Sequence, residues 1–478
     1  MKNSRFALAL AVLSIIFLEA CGGGAGSSTP PPPQASTAPV SVTVRDAPPL
    51  GVTVLSFEVT VLSASLQSNT GKPDFPLVTT PTKIEIKQLE VQSAFLNTAS
   101  VPADTYKSVT VTLMNPELTY KNETGAPLPS PLNCAVGAIC EFKPPLSTAV
   151  VFSGAPFPLT ISANSPTGLL VDVNLANAVT STLGVDFTAA GAVTATQLTA
   201  QAGTGQLEEM EDVSGTVANK DTANNQFTLQ SPIGNLTVKV DNNTVFEDFD
   251  KLGTPCSAIP QTFSCVANGQ IVEVDLRLVA GGTLLAKKVE AADDANAEEF
   301  EGVIVGNISP AGFDMVMVEK ISPTTAVDVG NLVHINAAGA QFKIGNAGNL
   351  PIAGLSFSTS TDLMVGQRVE IKKQTVTAGT PPSIDTNRVT LKKTSFTGKV
   401  KAKLNATDFT VDNLPPLFAN ATPSVTQIEV RASAANFENV TGVSALNIPP
   451  NADTVSVSGL LFKTLVDPVL VAKKVRKR

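Results

Sequence analysis

Carboxylates are the side chains of this sequence with the most scope for chemistry, because 41 Asp and Glu residues accompany a single histidine. Three acids cluster in Phe246-Glu-Asp-Phe-Asp250. Paired carboxylates can hydrolyse glycosidic bonds, and the oxygens of this cluster, or of Asp241-Asn-Asn243, suit calcium. Sugar sites usually also present aromatic faces, yet the chain has no Trp and two Tyr. We therefore expect a solvated acidic loop, with a hydrolase of an envelope polysaccharide and a calcium site as alternatives.

The single histidine, His334, lies in Asn331-Leu-Val-His-Ile335, which has the pattern of a strand. A catalytic histidine must reach the group whose proton it moves, and no serine or cysteine nucleophile motif lies near it in sequence. The sequence also has no G-x-S-x-G, H-E-x-x-H or P-loop motif. We therefore expect a structural histidine, no catalytic residue, no metal ligand and no cofactor, and we expect the protein not to be an enzyme.

Four of the five cysteines form two close pairs, Cys134 with Cys140 and Cys256 with Cys265. Each pair lies in a loop-like stretch rich in Pro, Gly and Ser. The spacings are not the C-x-x-C of zinc sites, and the only histidine is distant in sequence. We expect two local disulfides, which an exported chain permits, and keep a metal site as the alternative.

The fifth cysteine, Cys21, follows Leu18-Glu-Ala20 at the end of the apolar segment 6–18, which itself follows Lys2 and Arg5. An apolar run of about a dozen residues suits a signal peptide and is too short to span a bilayer. The four residues resemble the lipobox of bacterial lipoproteins, although Glu19 stands where that motif usually has a small or uncharged residue. The resemblance implies removal of residues 1–20, lipid on Cys21, and a Pro/Gly/Ser-rich tether over residues 21–39. An ordinary secretory signal is the alternative.

The composition favours β-structure, because Thr, Val, Ala and Ser abound. Residues 55–61 and 169–175 alternate apolar with polar residues, as half-buried strands do. Many short strands of this kind predict a β-sandwich over residues 40–203. The opening Asp46-Ala-Pro48, the 55–61 strand and Val101-Pro-Ala-Asp-Thr-Tyr106 resemble a bacterial and archaeal envelope family, domain of unknown function 4382. That family has no established activity, so the resemblance assigns no functional residues.

Three copies of a motif follow, with a period of roughly 85–95 residues. Each opens with a strand containing a glycine, at Gly215, Gly302 and Gly398, and the first two copies later carry a Gly-Gln pair, at 269–270 and 366–367. The copies predict three small OB-like barrels in tandem, over residues 208–294, 298–393 and 394–478. They resemble domain of unknown function family 5666, for which the implied ligand binding rests on fold alone.

The formal net charge of −8 argues against nucleic acid as a partner. The basic terminus, Lys473–Arg478, is expected to be a final strand running into a solvated tail, with contact to anionic lipid headgroups as the alternative. Together these features predict an all-β, lipid-anchored cell-envelope protein, held at the cell membrane or outer membrane. We expect a rod of modules acting as a binding, scaffold or adhesion module for a protein or polysaccharide ligand.

Overall fold

Strands make up almost all of the regular structure of the described chain, which confirms the predicted all-β class. The computed structural model describes residues 37–47, 53–180, 182–252, 255–293, 298–320, 327–345, 347–348 and 350–478. The predicted signal peptide, Cys21 and the tether up to residue 36 lie outside these residues. Among the described residues, no helix has both the length and the apolar character needed to cross a membrane.

Two sheets form the N-terminal region, which comprises residues 37–198. Its strands are β1 (Thr37–Ala47), β2 (Thr53–Ser68), β3 (Phe75–Val78), β4 (Thr82–Glu85), β5 (Ala94–Pro102), β6 (Asp104–Lys121), β7 (Ile139–Phe142), β8 (Ser147–Phe152), β9 (Leu159–Ile161), β10 (Thr167–Asn174) and β11 (Val193–Leu198). One sheet has the order β11-β10-β1-β5, and the other is built on the long antiparallel pair β2 and β6. Short helical turns lie at Ile86–Leu89 and Leu175–Ala178.

The alternation seen in the sequence corresponds to the two faces of the second sheet. Phe57, Val59 and Val61 of β2 are buried in the core, and Val111 and Leu113 of the paired strand β6 are buried there too. Because successive side chains of a strand point to opposite faces, the polar residues between them lie on the other face. That other face is the one that carries Glu58 and Glu117 towards the rest of the chain.

The remaining chain repeats one pattern of strand pairing three times. The strands are β12 (Gln206–Asp221), β13 (Gln226–Ser231), β14 (Gly234–Lys239), β15 (Val245–Glu247), β16 (Ile271–Val279), β17 (Thr283–Asp293), β18 (Glu299–Gly306), β19 (Gly312–Lys320), β20 (Leu332–Asn336), β21 (Gln341–Ile344), β22 (Arg368–Thr377), β23 (Ser383–Lys403), β24 (Asp408–Asp412), β25 (Ile428–Arg431), β26 (Asn436–Glu438), β27 (Thr454–Phe462) and β28 (Val469–Lys477). Short helical turns lie at Phe249–Lys251, Phe263–Cys265, Ser360–Asp362, Pro416–Ala419 and Val443–Ala445.

We call these strands the first set (β12–β17), the second set (β18–β23) and the third set (β23–β28). In each set the first strand pairs antiparallel with the second and with the fifth, and the third and fourth strands both pair parallel with the last. Strand β23 is 21 residues long and serves as the last strand of the second set and the first strand of the third. The second and third sets are therefore joined within one strand.

The repeated glycine has a packing role in all three sets. A Cβ atom on Gly215, Gly302 or Gly398 would lie 2.6–2.7 Å from a carbonyl oxygen of the neighbouring strand. Such a contact is too short for any real side chain, so the strand cannot approach its neighbour there unless the residue is glycine. The sequence motif thus marks a close approach of two strands in each set.

The Gly-Gln motif also has a physical cause. The side-chain oxygen of Gln270 accepts a hydrogen bond from Ala267 N at 2.7 Å, and that of Gln367 accepts one from Met364 N at 2.7 Å. In the third set, which lacks the pair, Asp453 accepts from Asn447 N at 2.7 Å. In each case a side-chain oxygen accepts a hydrogen bond from a backbone N–H of the turn that leads into the fifth strand of the set.

The N-terminal region and the three sets belong to one compact unit, Ser36–Arg478, rather than the rod of modules that the sequence suggested. An apolar cluster joins Leu55 of β2 to Val305 and Val316 of the second set and to Leu417 of the third. The hydroxyl of Thr119 donates to the carbonyl oxygen of Gly330 at 3.1 Å across the same junction. The modules therefore fold onto one another around shared contacts.

The basic C-terminus is part of this packing, so the expectation of a solvated tail is wrong. Arg476 in β28 is only 2% exposed. Its guanidinium donates to the carbonyl oxygens of Glu90 at 2.6 Å and Val91 at 2.9 Å, just after the helical turn of the N-terminal region. It also pairs with Glu438 at 2.5 Å. The chain end thus fastens the third set to the N-terminal region.

Replacing Arg476 with alanine should therefore destabilise the whole unit. The substitution leaves the carbonyl oxygen of Val91 without its charged donor, while that of Glu90 keeps Arg478. It also removes the buried ion pair with Glu438, and we expect a loss of about 3 kcal/mol in the free energy of unfolding, measured by urea denaturation. The control is Arg431→Ala, which removes a more exposed ion pair with Glu429 and should lower the free energy of unfolding by less than about 1 kcal/mol. An equal decrease in the free energy of unfolding in the two variants would contradict the proposed role of Arg476 in holding the third set against the N-terminal region.

Candidate functional site

A cavity of about 880 Å³ lies where the N-terminal region meets the three sets. One wall comes from strands β2, β4 and β6, and the other from strands β12, β18, β19, β22 and β23. The lining is dominated by charged and polar side chains, which is unusual because ligand pockets are mostly apolar. The geometry of each wall explains how so many charges tolerate partial burial.

The wall of the N-terminal region carries a row of alternating charges. Lys83 lies 2.6 Å from Glu58 and 3.1 Å from Glu117, and Lys143 lies 2.9 Å from both Glu117 and Glu141. The three glutamates and Lys83 come from neighbouring strands of one sheet and share its outer face, because each is offset by one position from an inward-facing apolar residue, and Lys143 directly follows β7. The row is therefore a direct product of the period-2 pattern.

Glu85 sits at the end of this row and differs from its neighbours. Its carboxylate accepts hydrogen bonds from Phe57 N at 2.7 Å and Lys87 N at 3.0 Å, as well as from the hydroxyl of Ser56. Burial, with a further contribution from the negative charge of Glu58, raises the pKa of Glu85 to about 7. Glu85 thus exchanges its proton near neutral pH, in contrast to an ordinary glutamate.

The opposite wall contains a buried lysine surrounded by three glutamates. The Nζ of Lys392 contacts Glu273 and lies 3.3 Å from Glu301 and 3.4 Å from Glu370. All four residues are buried, and one carboxylate oxygen from each glutamate lies within 4.8 Å of the others. Glu273 belongs to the first set and the other two glutamates to the second, so Lys392 joins two sets.

The internal repeat explains why two of these glutamates meet. Glu273 and Glu370 occupy the same position of the fifth strand in their sets, each directly after the valine that pairs with the repeated glycine. The third set carries Ser456 there instead. Equivalent positions in two packed copies therefore bring like charges together, and the cation of Lys392 makes that arrangement possible.

Further ion pairs extend this wall on both sides. Lys393 lies 2.7 Å from Asp212 and 3.3 Å from Glu211, while Arg368 lies 2.5 Å from Glu301 and 2.7 Å from Glu319. Arg368 also donates to Gln88 of the N-terminal region at 2.7 Å. Arg368 and Lys392 thus each pair with acids from at least two strands, whereas both acids that pair with Lys393 lie in β12.

Burial and charge shift the pKa values of these groups in opposite directions. Burial raises the pKa of Glu301 to about 7, and burial lowers the pKa of Lys392 to about 8. For Asp212, burial acts against ionisation, but the charges of Lys393 and Lys392 prevail and lower its pKa to about 2. The wall therefore holds both firmly ionised carboxylates and carboxyls that titrate near neutral pH.

The three glutamates around Lys392 are also the only group in the described ranges whose oxygens could share a metal ion. Their centre already contacts the ammonium group of Lys392, which performs the charge compensation that a metal would otherwise perform. The other acids of the cavity are spread over both walls. The site can bind charged or hydrogen-bonding solutes, and the carboxyls of Glu85 and Glu301 can donate or accept protons.

The four predicted disulfide cysteines do not line this cavity. Cys134 forms a disulfide with Cys140, and Cys256 forms one with Cys265, which confirms both predicted bridges. Cys21, the predicted lipidation site, lies outside the described residues. The Nδ1 of His334 lies 2.6 Å from Asp314 on the adjacent strand.

The acidic segments noted in the sequence make local contacts. Asp250 accepts from Gln261 Nε2 at 2.7 Å, and the backbone of Asn243 donates to Asp241 at 2.8 Å in a turn. Sequence reasoning did not single out Lys392 or its glutamates. The available signal was a glutamate between two β-branched apolar residues in two equivalent strands, at Glu273 and Glu370, which indicated a repeat but not a shared contact.

Two family models match the chain. Residues 37–204 match the family described as Domain of unknown function (DUF4382), and residues 214–290 match the family described as Domain of unknown function (DUF5666). We call the N-terminal region, which the first of these models matches, the DUF4382 domain, and the part of the first set that the second model matches the DUF5666 segment. The match to residues 214–290 covers much of the first set, so both resemblances indicated by the sequence motifs are confirmed. No curated protein and no solved structure matches the chain.

Replacing Lys392 with methionine should strongly destabilise the junction between the DUF5666 segment and the second set. Three buried carboxylates would lose their shared cation, and we expect the free energy of unfolding to fall by about 3–5 kcal/mol at pH 7. Loss of the cation raises the pKa of the folded carboxyls, so their protonation favours the folded state. The destabilisation should therefore shrink as the pH falls from about 7 to about 5.

The matched control is Lys399→Met, which removes an exposed lysine from the same strand and should change stability by less than about 0.5 kcal/mol at either pH. Both variants are compared with the unaltered chain by chemical denaturation at each pH. A loss in Lys392→Met that does not depend on pH would argue against uncompensated carboxylates as its cause.

Proposed function

We propose that this protein is a lipid-anchored, non-catalytic cell-envelope protein that binds a small polar solute between its modules. Within it, the DUF4382 domain is a β-sandwich and each of the three sets is a small OB-like barrel. Support for the barrels comes from the pairing of the third strand with the last, which links the two ends of a five-strand path in each set.

Export to the envelope is supported by the two disulfides, which form and persist in oxidising compartments. The lipid anchor rests on the lipobox-like residues that end at Cys21. A chain attached to the bacterial cell membrane or outer membrane by acyl groups needs no membrane-spanning segment. The excess of acidic residues argues against nucleic acid as a partner.

The anchor is tested by growing cells with a radiolabelled or alkyne-bearing fatty acid and isolating the protein from the membrane fraction. We expect the label on a chain that begins at Cys21, identified by mass spectrometry of the N-terminal peptide. Cys21→Ala should lose the label and leave the membrane fraction. An unlabelled chain cut near residue 20 would support an ordinary secretory signal instead.

The observation that favours solute binding is the cavity itself. Its volume of about 880 Å³ falls in the range of small-molecule sites, and its walls come from the DUF4382 domain and all three sets. Most of its charged side chains are held in place by ion pairs within their own wall, as in the row from Glu58 to Glu141. A site with fixed polar groups binds without large reorganisation.

The alternative, a carboxylate-based hydrolase acting on an envelope polysaccharide, also has an observation in its favour. Acids from several strands gather in the cavity, and Glu85 has a pKa raised to about 7, as general acids of glycosidases often do. Against it, the described residues that line the cavity include no aromatic side chain on which a sugar ring could stack. We therefore rank binding first.

Solute binding is tested by purifying the full-length protein from its own membranes in a nonionic detergent and identifying small molecules released on denaturation. We expect a retained solute in about one copy per chain, and its loss from Gln92→Trp, in which an indole occupies the cavity without removing an ion pair. The control, Thr222→Trp, alters an exposed turn and should retain the solute. Recovery of a cleaved product would favour the hydrolase, and absence of any solute would contradict the proposal.

A further inference from the structure

Among the described residues, the cavity has more acidic than basic side chains along its walls. Eight acidic and six cationic side chains line it, and Glu273 and Glu370 lie directly behind Lys392. Burial raises the pKa of several of these carboxyls, including Glu58 and Glu211. Acidic side chains therefore outnumber cationic ones in the described lining, and a positively charged ligand would reduce this excess of acidic groups.

These acids are arranged in two separated groups rather than around one point. Glu58 and Glu117 lie on the wall of the DUF4382 domain, whereas Glu211 and Glu319 lie on the opposite wall. In the described part of the chain, no cavity-lining acid other than Glu301 belongs to a group close enough to share one metal ion. A ligand with two or more positive charges set apart along its length fits this spacing better than a single ion does.

The structure already shows how this lining accommodates an alkylammonium group. The side chain of Lys392 is a primary amine on a four-carbon chain, and its ammonium is buried with three carboxylates within about 3.5 Å. The cost of removing that ammonium from water is offset by several charged contacts at once. The same chemistry is available to an amine that enters from the cavity side, where Glu117 and Glu211 lie.

An unpaired hydroxyl provides a second, independent indication of a ligand. Ser93 lines the cavity, is only 4% exposed, and its Oγ has no hydrogen-bond partner among the described residues. A buried hydroxyl without a partner costs free energy unless a ligand or water satisfies it. A secondary or primary amine can donate a hydrogen bond to this oxygen.

We propose that the cavity binds a small linear polyamine, whose ammonium groups pair with Glu117 on one wall and Glu211 on the other and whose chain passes Ser93. This assignment rests on the proposed solute-binding function and specifies its ligand class. Both glutamates suit direct tests, because their cations are not left buried without a partner. Without Glu117, Lys83 and Lys143 still pair with Glu58 and Glu141. Without Glu211, Lys393 still pairs with Asp212, and Lys473 is 37% exposed.

The test is isothermal titration of the full-length protein, in nonionic detergent at low ionic strength, with spermidine, n-butylamine and calcium chloride. We expect one spermidine per chain, at least about tenfold weaker binding of n-butylamine, and weaker binding of spermidine as salt is added. Glu117→Gln and Glu211→Gln should each raise the dissociation constant for spermidine about tenfold. Glu247→Gln, an exposed acid outside the cavity, should leave it unchanged.

Two results would overturn the assignment. One is calcium binding with no spermidine binding, and the other is spermidine binding that both cavity variants leave unchanged. Thermal melting of each variant separates loss of binding from loss of folding. If the protein retains a neutral or anionic solute in the release experiment but binds no spermidine, only the ligand class is wrong. If the protein retains no solute and binds no amine, both the ligand class and the proposed solute-binding function are wrong.

Discussion

The buried ammonium of Lys392 is the interaction on which the packing of the repeated part depends. Removing a charge from water costs several kcal/mol, and three carboxylates cannot share one small volume without a cation. Glu273 comes from one set of strands, Glu301 and Glu370 from the next, and Lys392 from the strand that continues into the third. The charges are satisfied only when the sets are packed together, which makes this packing specific.

The same rule holds where the repeated part meets the DUF4382 domain. Arg368 reaches Gln88, and Arg476 reaches the backbone oxygens of Glu90 and Val91. The apolar cluster around Leu55 and Leu417 adds burial at this junction, but apolar contacts are not directional. Hydrogen bonds from guanidinium groups fix the register that the apolar contacts leave open.

A cavity follows naturally from walls of this kind. Rows of ion pairs such as those of Lys83 and Lys143 cannot interdigitate as apolar side chains do, so space remains where two charged faces meet. The carboxyls that face this space include Glu85 and Glu301, whose pKa values are raised to about 7. A junction formed to hold modules together thereby also gains the polar surface of a binding site.

The sequence by itself determined the local features of this protein. Alternating apolar and polar residues predicted strands such as β2, and the close spacing of the cysteines predicted the disulfides of Cys134 and Cys256. The regularly spaced glycines indicated three copies of one repeat. Each of these features depends only on neighbours in the chain or on one adjacent strand. Only the tertiary structure decided that the copies pack together, that Arg476 is buried, and that Glu273 meets Glu370 across 97 positions of sequence around Lys392. Those contacts depend on how separate modules pack, and a buried charge leaves no periodic signal from which its distant partner can be predicted.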